Sequence, residues 1–172
     1  NSNSQVVLAG ATEAVKAAAD ALNSRGYKAT VLPVSAAFHT PLVGHASEPF
    51  ANAVNAVDFQ DAKLPVYSNT TGSPYPEDKN AAKTLLANHI LNPVYYKKQI
   101  EAIYEAGGRV FVECGPRRIT TNLVQEILEG KEHIAVALNS SRQKPDDHQF
   151  RAAVVQLRVA GVNLGDIDPW AL

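Results

Sequence analysis

Methionine is missing from this chain of 172 residues, and cysteine and tryptophan each occur only once. The lone cysteine, Cys114, cannot form an internal disulfide, which excludes a disulfide-stapled fold and favours a cytoplasmic protein. No apolar run approaches the roughly 20 residues that cross a bilayer, and no signal-peptide pattern is recognisable. The net charge of -1 gives no excess of positive charge for nucleic acid. The sequence therefore predicts neither a membrane nor a nucleic-acid partner.

The composition is that of a globular domain, with 45% hydrophobic and 19% charged residues. The length suits one domain of ordinary size. The chain begins with Asn1 and runs almost at once into an apolar segment. We therefore expect it to be a fragment of a longer polypeptide.

Short apolar runs of strand type alternate with segments of helical periodicity. This order predicts an α/β fold with a mostly parallel sheet. Gly115 and Pro116 are expected to end the fourth strand, and residues 168–170 to form an extended tail. The predicted strands are residues 5–8, 27–34, 64–68, 109–113 and 133–138. The predicted helices are residues 12–24, 41–57, 79–91, a segment opened by Pro93, 119–128 and 146–160.

His39 occupies the connection between a predicted strand and a predicted helix. Thr40 and Pro41 are typical of a helix start, with Thr40 as N-cap and Pro41 at the first helical position. Connections held by rigid elements often carry catalytic groups, and a neutral imidazole can take a proton from a hydroxyl and return it. The alternative is a helix-entry histidine that is bonded only to backbone.

The residues around His39 add a family resemblance. The segment LPVSAAFHTPL at residues 32–42 resembles the catalytic-histidine segment of the acyltransferase family. This family includes malonyl-CoA:acyl-carrier-protein transacylases and the acyltransferase domains of polyketide, animal-type fatty-acid and polyunsaturated-fatty-acid synthases. Three further segments match in the family's order, and the resemblance extends to about Asn139. These segments are NSNSQVVLAG at 1–10, NPV at 92–94 and VECGP at 112–116.

The resemblance implies a Ser-His dyad that moves a malonyl group from CoA to the phosphopantetheine thiol of an acyl carrier protein. It assigns the role of general base, then acid, to His39, with no bound cofactor. It implies the C-terminal part of an α/β-hydrolase-like large subdomain at residues 35–140. Residues 1–34 would be the second half of a ferredoxin-like small subdomain, and 141–172 a linker helix and tail.

Three further residues receive roles from the same resemblance. The backbone carbonyl of His89 would orient the ring of His39; the alternative is that His89 merely faces solvent. Ala37 and Phe38 would shape the acyl pocket, because an Ala-Phe-His ending accompanies malonyl in similar synthases and Ala-Ser-His accompanies methylmalonyl. The alternative is that Phe38 is an ordinary core residue.

Two arginines, Arg117 and Arg118, lie at a predicted helix start. This placement suits a phosphate of CoA or of the carrier protein, although a solvated surface is equally consistent. His45, His133 and His148 are scattered without metal-ligand spacing, so no metal site is predicted.

The sequence departs from the family by lacking any Gly-x-Ser-x-Gly elbow for the nucleophile. We expect the serine to lie in an upstream half of the same domain, and the chain alone to be inactive. One alternative is a catalytically silent fragment that holds neighbouring synthase domains through residues 146–172. Another is an independent α/β binding module.

Overall fold

The computed structural model describes residues 1–165 of the chain, which divide into two compact units. The first unit contains Asn1 and Gln5–Gln99. The second contains Ser2–Ser4 and the chain from Ile100 on. The predicted subdomain boundaries after residues 34 and 140 are not tested by this division and stay predictions.

Helices dominate the part of the chain that the structure describes. The helices are α1 Thr12–Ser24, α2 Ser47–Ala56, α3 Lys79–Ala87, α4 Tyr96–Glu105, α5 Ile119–Ile127 and α6 Asp146–Val159. The strands are β1 Tyr67–Ser68, β2 Ser73–Pro74, β3 Val110–Pro116 and β4 Ile134–Asn139. Two 3₁₀ helices occupy Pro41–Ala46 and Asn88–Leu91.

Helix α1 forms where its apolar spacing predicts, and Gly26 ends it with a φ of 83°. The strands predicted on either side of it, residues 5–8 and 27–34, are wrong, because neither segment belongs to a strand in the structure. Their apolar side chains are largely exposed. Strand propensity reflects packing on a sheet surface, and a run of valines becomes a strand only where a neighbour completes its hydrogen bonds.

The helix predicted over residues 41–57 is split into the 3₁₀ helix Pro41–Ala46 and α2. The predicted start is confirmed, since the Thr40 hydroxyl accepts a hydrogen bond from the Leu42 backbone N–H at 3.2 Å. The split follows from Pro49, because a continuous α-helix would need an N–H at this position and would drive the ring into the carbonyl of His45. In the structure Pro49 lies in the first turn of α2, where no such bond is required.

Strands β1 and β2 form a short antiparallel hairpin in place of the longer strand predicted over 64–68. Gly72 closes its turn with a φ of 67°, and its N–H donates to the Ser68 carbonyl at 2.7 Å. A Cβ at this glycine would lie 2.7 Å from Cγ of Lys98, so the position excludes a side chain for steric as well as conformational reasons.

Helix α4 begins at Tyr96, three residues after the predicted start at Pro93. A proline disfavours the helical conformation in the preceding residue. Asn92 is accordingly extended, with a ψ of 150°. Residues 93–95 belong to no helix or strand, and the Tyr95 N–H donates to the Asn69 carbonyl at 2.7 Å.

Strands β3 and β4 run parallel, with Val112 opposite Val136, and α5 connects them. This strand-helix-strand unit is the only part of the predicted mostly parallel sheet that residues 1–165 form, because β1 and β2 pair antiparallel in a separate sheet. The predicted break at Gly115 and Pro116 is wrong, because β3 continues to Pro116 through an irregularity in register after Glu113. A proline is tolerated at the end of a strand, where no ladder N–H is needed.

Helix α6 covers β4, and buried Val136, Ala153 and Leu157 form the core of this contact. The buried face of α6 thus packs inside the second unit. Less of its apolar surface is then left to bind neighbouring synthase domains, which was the alternative for residues 146–172. The tail predicted at residues 168–170 lies outside the described residues.

Candidate active site

His39 lies on a loop of the first unit with its backbone in the left-handed region, at a φ of 64°. Few residues other than glycine adopt this conformation, and histidine is among those enriched in it. The His39 N–H donates to the Ile90 carbonyl at 2.9 Å, and the ring is half-buried. The predicted strand leading into this loop is absent from residues 30–34, so the loop is fixed by the 3₁₀ helix Asn88–Leu91 instead.

The ring of His39 makes a second bond to the same turn. Its Nδ1 lies 3.1 Å from the backbone carbonyl oxygen of His89. A carbonyl oxygen only accepts, so Nδ1 must carry the proton, and in the neutral ring Nε2 then holds the lone pair. The geometry thus fixes which nitrogen can act as a base. This is the contact that the resemblance implies for His89, while its catalytic role stays a prediction.

The side chain of His89 also takes part, although the resemblance used only its backbone. Its Nδ1 lies 2.7 Å from the Thr70 hydroxyl, and its ring meets the ring of His39 edge-on, with centroids 4.9 Å apart. Burial lowers the pKa of His89, and the nearby His39 lowers it further. The alternative that His89 merely faces solvent is therefore wrong.

The two residues before His39 differ in exposure. The side chain of Phe38 is 50% exposed, so the alternative that it is an ordinary core residue is wrong. Ala37 is partly buried, and its carbonyl accepts a hydrogen bond from the Thr40 hydroxyl at 2.7 Å. A half-exposed phenyl ring is free to contact a bound group, and its role in the acyl pocket stays a prediction.

Glu113, in the second unit, caps the N-terminus of α5, where an anion site was predicted. Its Oε1 accepts from the N–H groups of Ile119 and Thr120, both at 3.2 Å. Its Oε2 accepts from the N–H of Thr121 at 2.8 Å and from the hydroxyl of the same residue at 2.6 Å. Burial alone raises the pKa of Glu113, but the bonds from Thr121 and Thr120 outweigh it, and the pKa is lowered.

The two exposed arginines beside this helix start therefore lack its backbone donors for an anion. Arg117 is in the left-handed region, with a φ of 75°. A terminal guanidinium nitrogen of Arg118 donates to the Gln125 side chain at 3.2 Å. Binding of a phosphate here would depend on the guanidinium groups alone, and it stays a prediction. Sequence reasoning missed the role of Glu113, although a glutamate six residues before a helix start is a usable signal.

Two further classes of site are absent from residues 1–165. No group of three or more histidine, cysteine or acidic side chains in this range comes together in a way that could hold a metal ion. No helix in the same range has the length and apolar character that a bilayer span requires.

The fold and this histidine agree with one family of proteins. The sequence profile described as "Acyl transferase domain" matches residues 1–164, and the chain belongs to this family. The predicted resemblance is confirmed. The match continues past Asn139, where the resemblance in the motifs ended, and it includes α6.

Two relatives of this chain are a fatty acid synthase subunit and a transacylase. The chain is 36% identical over 173 residues to one of the subunits of the polyunsaturated fatty acid synthase of Thraustochytrium sp., a match that covers 99% of this chain and 6% of that protein. It is 32% identical over 135 residues to "Malonyl CoA-acyl carrier protein transacylase" of Bacillus subtilis, a match that covers 78% of this chain and 33% of that protein. The chain thus spans a third or less of these two proteins.

A solved structure shows the same fold. The acyltransferase domain from the second module of the salinomycin polyketide synthase superposes with a TM-score of 0.80 at 28% identity. The superposition covers 90% of this chain and 36% of that one. The mixed helix and strand content predicted from the sequence is therefore that of acyltransferase domains.

Proposed function

We propose that the chain is part of an acyltransferase that moves a malonyl group from CoA to the phosphopantetheine thiol of an acyl carrier protein. The observation that carries the proposal is the bond between Nδ1 of His39 and the His89 carbonyl, which leaves Nε2 as the base. The name of the Bacillus relative supplies the substrate and the partner. The serine comes from the upstream half of the domain.

The reaction follows from an imidazole held in this way. Nε2 of His39 takes the proton of the serine hydroxyl as its oxygen attacks the thioester carbonyl. The imidazolium returns that proton to the departing CoA thiolate, leaving an acyl-serine. His39 then takes the proton of the phosphopantetheine thiol, whose sulfur attacks the acyl-serine, and the proton goes back to the serine oxygen. The His89 carbonyl stabilises the imidazolium in both halves of the cycle.

The proposal includes a place for the chain in a larger protein. Residues 35–140 would belong to the α/β-hydrolase-like large subdomain, residues 1–34 to a ferredoxin-like small subdomain, and residues 141–172 to a linker. Neighbouring synthase domains would flank this acyltransferase in a multifunctional enzyme. The fractions of the two relatives that the chain covers are consistent with a part of such a protein.

A transfer assay tests the proposal. We expect the polypeptide that also carries a Gly-His-Ser-x-Gly segment to transfer radiolabelled malonyl from CoA to a holo carrier protein. We expect the chain of 172 residues alone to give the background rate, because it lacks the nucleophile. Transfer by the chain alone would contradict the role of an upstream serine, and no transfer by the longer polypeptide would contradict the proposed activity.

Phe38 gives a prediction about the acyl group. We expect Phe38→Ser to raise the ratio of methylmalonyl to malonyl transfer, because it removes bulk from the proposed acyl pocket. Space for one methyl group discriminates by roughly 10- to 200-fold, so the ratio should rise within that range. Competition between the two CoA thioesters in the longer polypeptide measures it. Val57→Ser, at another exposed apolar position, is the control, and equal ratios in both variants would remove Phe38 from the pocket.

A further inference from the structure

The hairpin of β1 and β2 holds Thr70 in a fixed place. The Thr70 N–H donates to the side-chain oxygen of Ser68 at 3.1 Å, and Ser68 is fully buried. The carbonyl of Asn69 accepts from the Tyr95 N–H, and Gly72 allows the tight return of the chain. The hydroxyl of Thr70 is thus attached to a short turn whose backbone is bonded on both sides.

The Thr70 hydroxyl contacts His89, the residue whose carbonyl is bonded to the ring of His39. Thr70 Oγ1 and His89 Nδ1 are 2.7 Å apart, a short contact for a neutral hydrogen bond. The carbonyl of His89 in turn meets Nδ1 of His39, and the two imidazole rings touch edge-on at an interplanar angle of 63°. The ring and the carbonyl of His89 belong to one residue, so a held ring limits the movement of the Cα to which the carbonyl is attached.

We propose that Thr70 and the imidazole of His89 form a positioning pair for His39. Thr70 holds the His89 ring, the ring supports the edge of the His39 imidazole, and the His89 carbonyl is thereby kept in line with Nδ1 of His39. The pair keeps the proton on Nδ1 and the lone pair on Nε2. This inference rests on the proposed function, but it assigns a role to two side chains that the backbone contact does not require.

The electrostatic surroundings agree with a neutral His89. Its pKa is lowered by burial and by His39, so at neutral pH the ring adds no positive charge beside a base that must become an imidazolium. The 3₁₀ helix Asn88–Leu91 packs against α2, α3 and the 3₁₀ helix Pro41–Ala46. Two of the titratable groups on these elements have partners other than His89, since Lys79 pairs with Asp61 and Lys83 donates to the Asn55 carbonyl. The others, His45 and Glu48, are exposed.

The first test is spectroscopic and needs no transferase activity. Nitrogen-15 NMR of the imidazoles in the full chain reports which nitrogen of His39 carries the proton. We expect one protonated nitrogen in the native chain and a mixture of both tautomers in Thr70→Val, which removes the hydroxyl but keeps the shape. Thr70→Ser should restore the native spectrum. Thr84→Val is the control, because its hydroxyl bonds only to the Asn80 carbonyl within α3.

The second test is kinetic and uses the polypeptide that carries the serine. We expect Thr70→Val to lower kcat about tenfold with KM unchanged, because a misplaced base affects the reacting geometry and not substrate binding. His89→Phe keeps a ring and the carbonyl but has no ring nitrogen, and it should produce the same loss. The double variant should be no slower than either single variant, since both remove one contact.

The outcomes separate this inference from the proposed function. An unchanged His39 spectrum in both Thr70→Val and His89→Phe would overturn the positioning role, even if either variant were less stable. A changed spectrum in a chain whose His39 proves unnecessary for transfer would support the positioning of the ring and overturn the proposed function. Full rescue by Thr70→Ser supports a role for the hydroxyl itself.

Discussion

His39→Ala is expected to lower the rate of malonyl transfer by the longer polypeptide by about 10²- to 10⁴-fold, the usual contribution of a general base. The serine hydroxyl would keep its proton during attack, and neither the departing CoA thiolate nor, in the second half, the departing serine oxygen would receive a proton from His39. Single-turnover formation of the acyl-serine from labelled malonyl-CoA measures the first half of the reaction. Transfer to the carrier protein measures the second half.

Two variants separate lost chemistry from lost backbone geometry. His39 has a positive φ, which alanine adopts with strain, whereas asparagine tolerates this region. We therefore expect His39→Asn to fold like the native protein and to be as slow as His39→Ala. His45→Ala, at an exposed histidine in the neighbouring 3₁₀ helix, should keep the native rate. A near-native rate for both variants of His39 would remove it from the mechanism.

Glu113→Ala is expected to lower the free energy of unfolding by about 2 kcal/mol, the order expected for a helix cap whose acceptor is charged. The carboxylate accepts three backbone N–H groups and one hydroxyl at the start of α5, and the variant leaves all four without this partner. Urea denaturation followed by circular dichroism measures the change. Glu129→Ala, at an exposed glutamate of the same unit, should change stability little.

The same carboxylate predicts a pH dependence. Because the folded-state pKa of Glu113 is lowered, its stabilising contribution is fully present above the unfolded-state value of 4.5. The contribution is lost as the pH falls through the lower pKa of the folded state. The stability difference between the native chain and Glu113→Gln should therefore be largest near neutral pH and shrink below pH 4.5. A difference that grows in acid would contradict the cap.

Local signals in the sequence predicted most of the helices and the helix start that follows His39. Thr40 and Pro41 marked a helix start because capping and a fixed φ act within a few residues. The failed strands at 5–8 and 27–34 depend on partners that a local pattern does not contain. Pro49 shows a different limit. A proline interrupts a helix, but the apolar spacing on both sides of Pro49 favoured the prediction of one continuous helix.

The site was predictable only as far as the family motifs reached. The motifs indicated His39 and the carbonyl of His89, because these positions follow from matched segments. Thr70 lies 19 residues from His89 in sequence, and no local pattern links a hairpin turn to a helical turn. Glu113 was part of a matched motif, yet its function became visible only when the first turn of α5 was placed against it.

The bonding of His39 also determines how this base can move. Its own N–H and its ring are attached to two consecutive carbonyls, those of Ile90 and His89. The loop that carries His39 therefore cannot move away from the turn Asn88–Leu91 without breaking both attachments. A displacement of this turn would therefore also displace the nitrogen that accepts the proton.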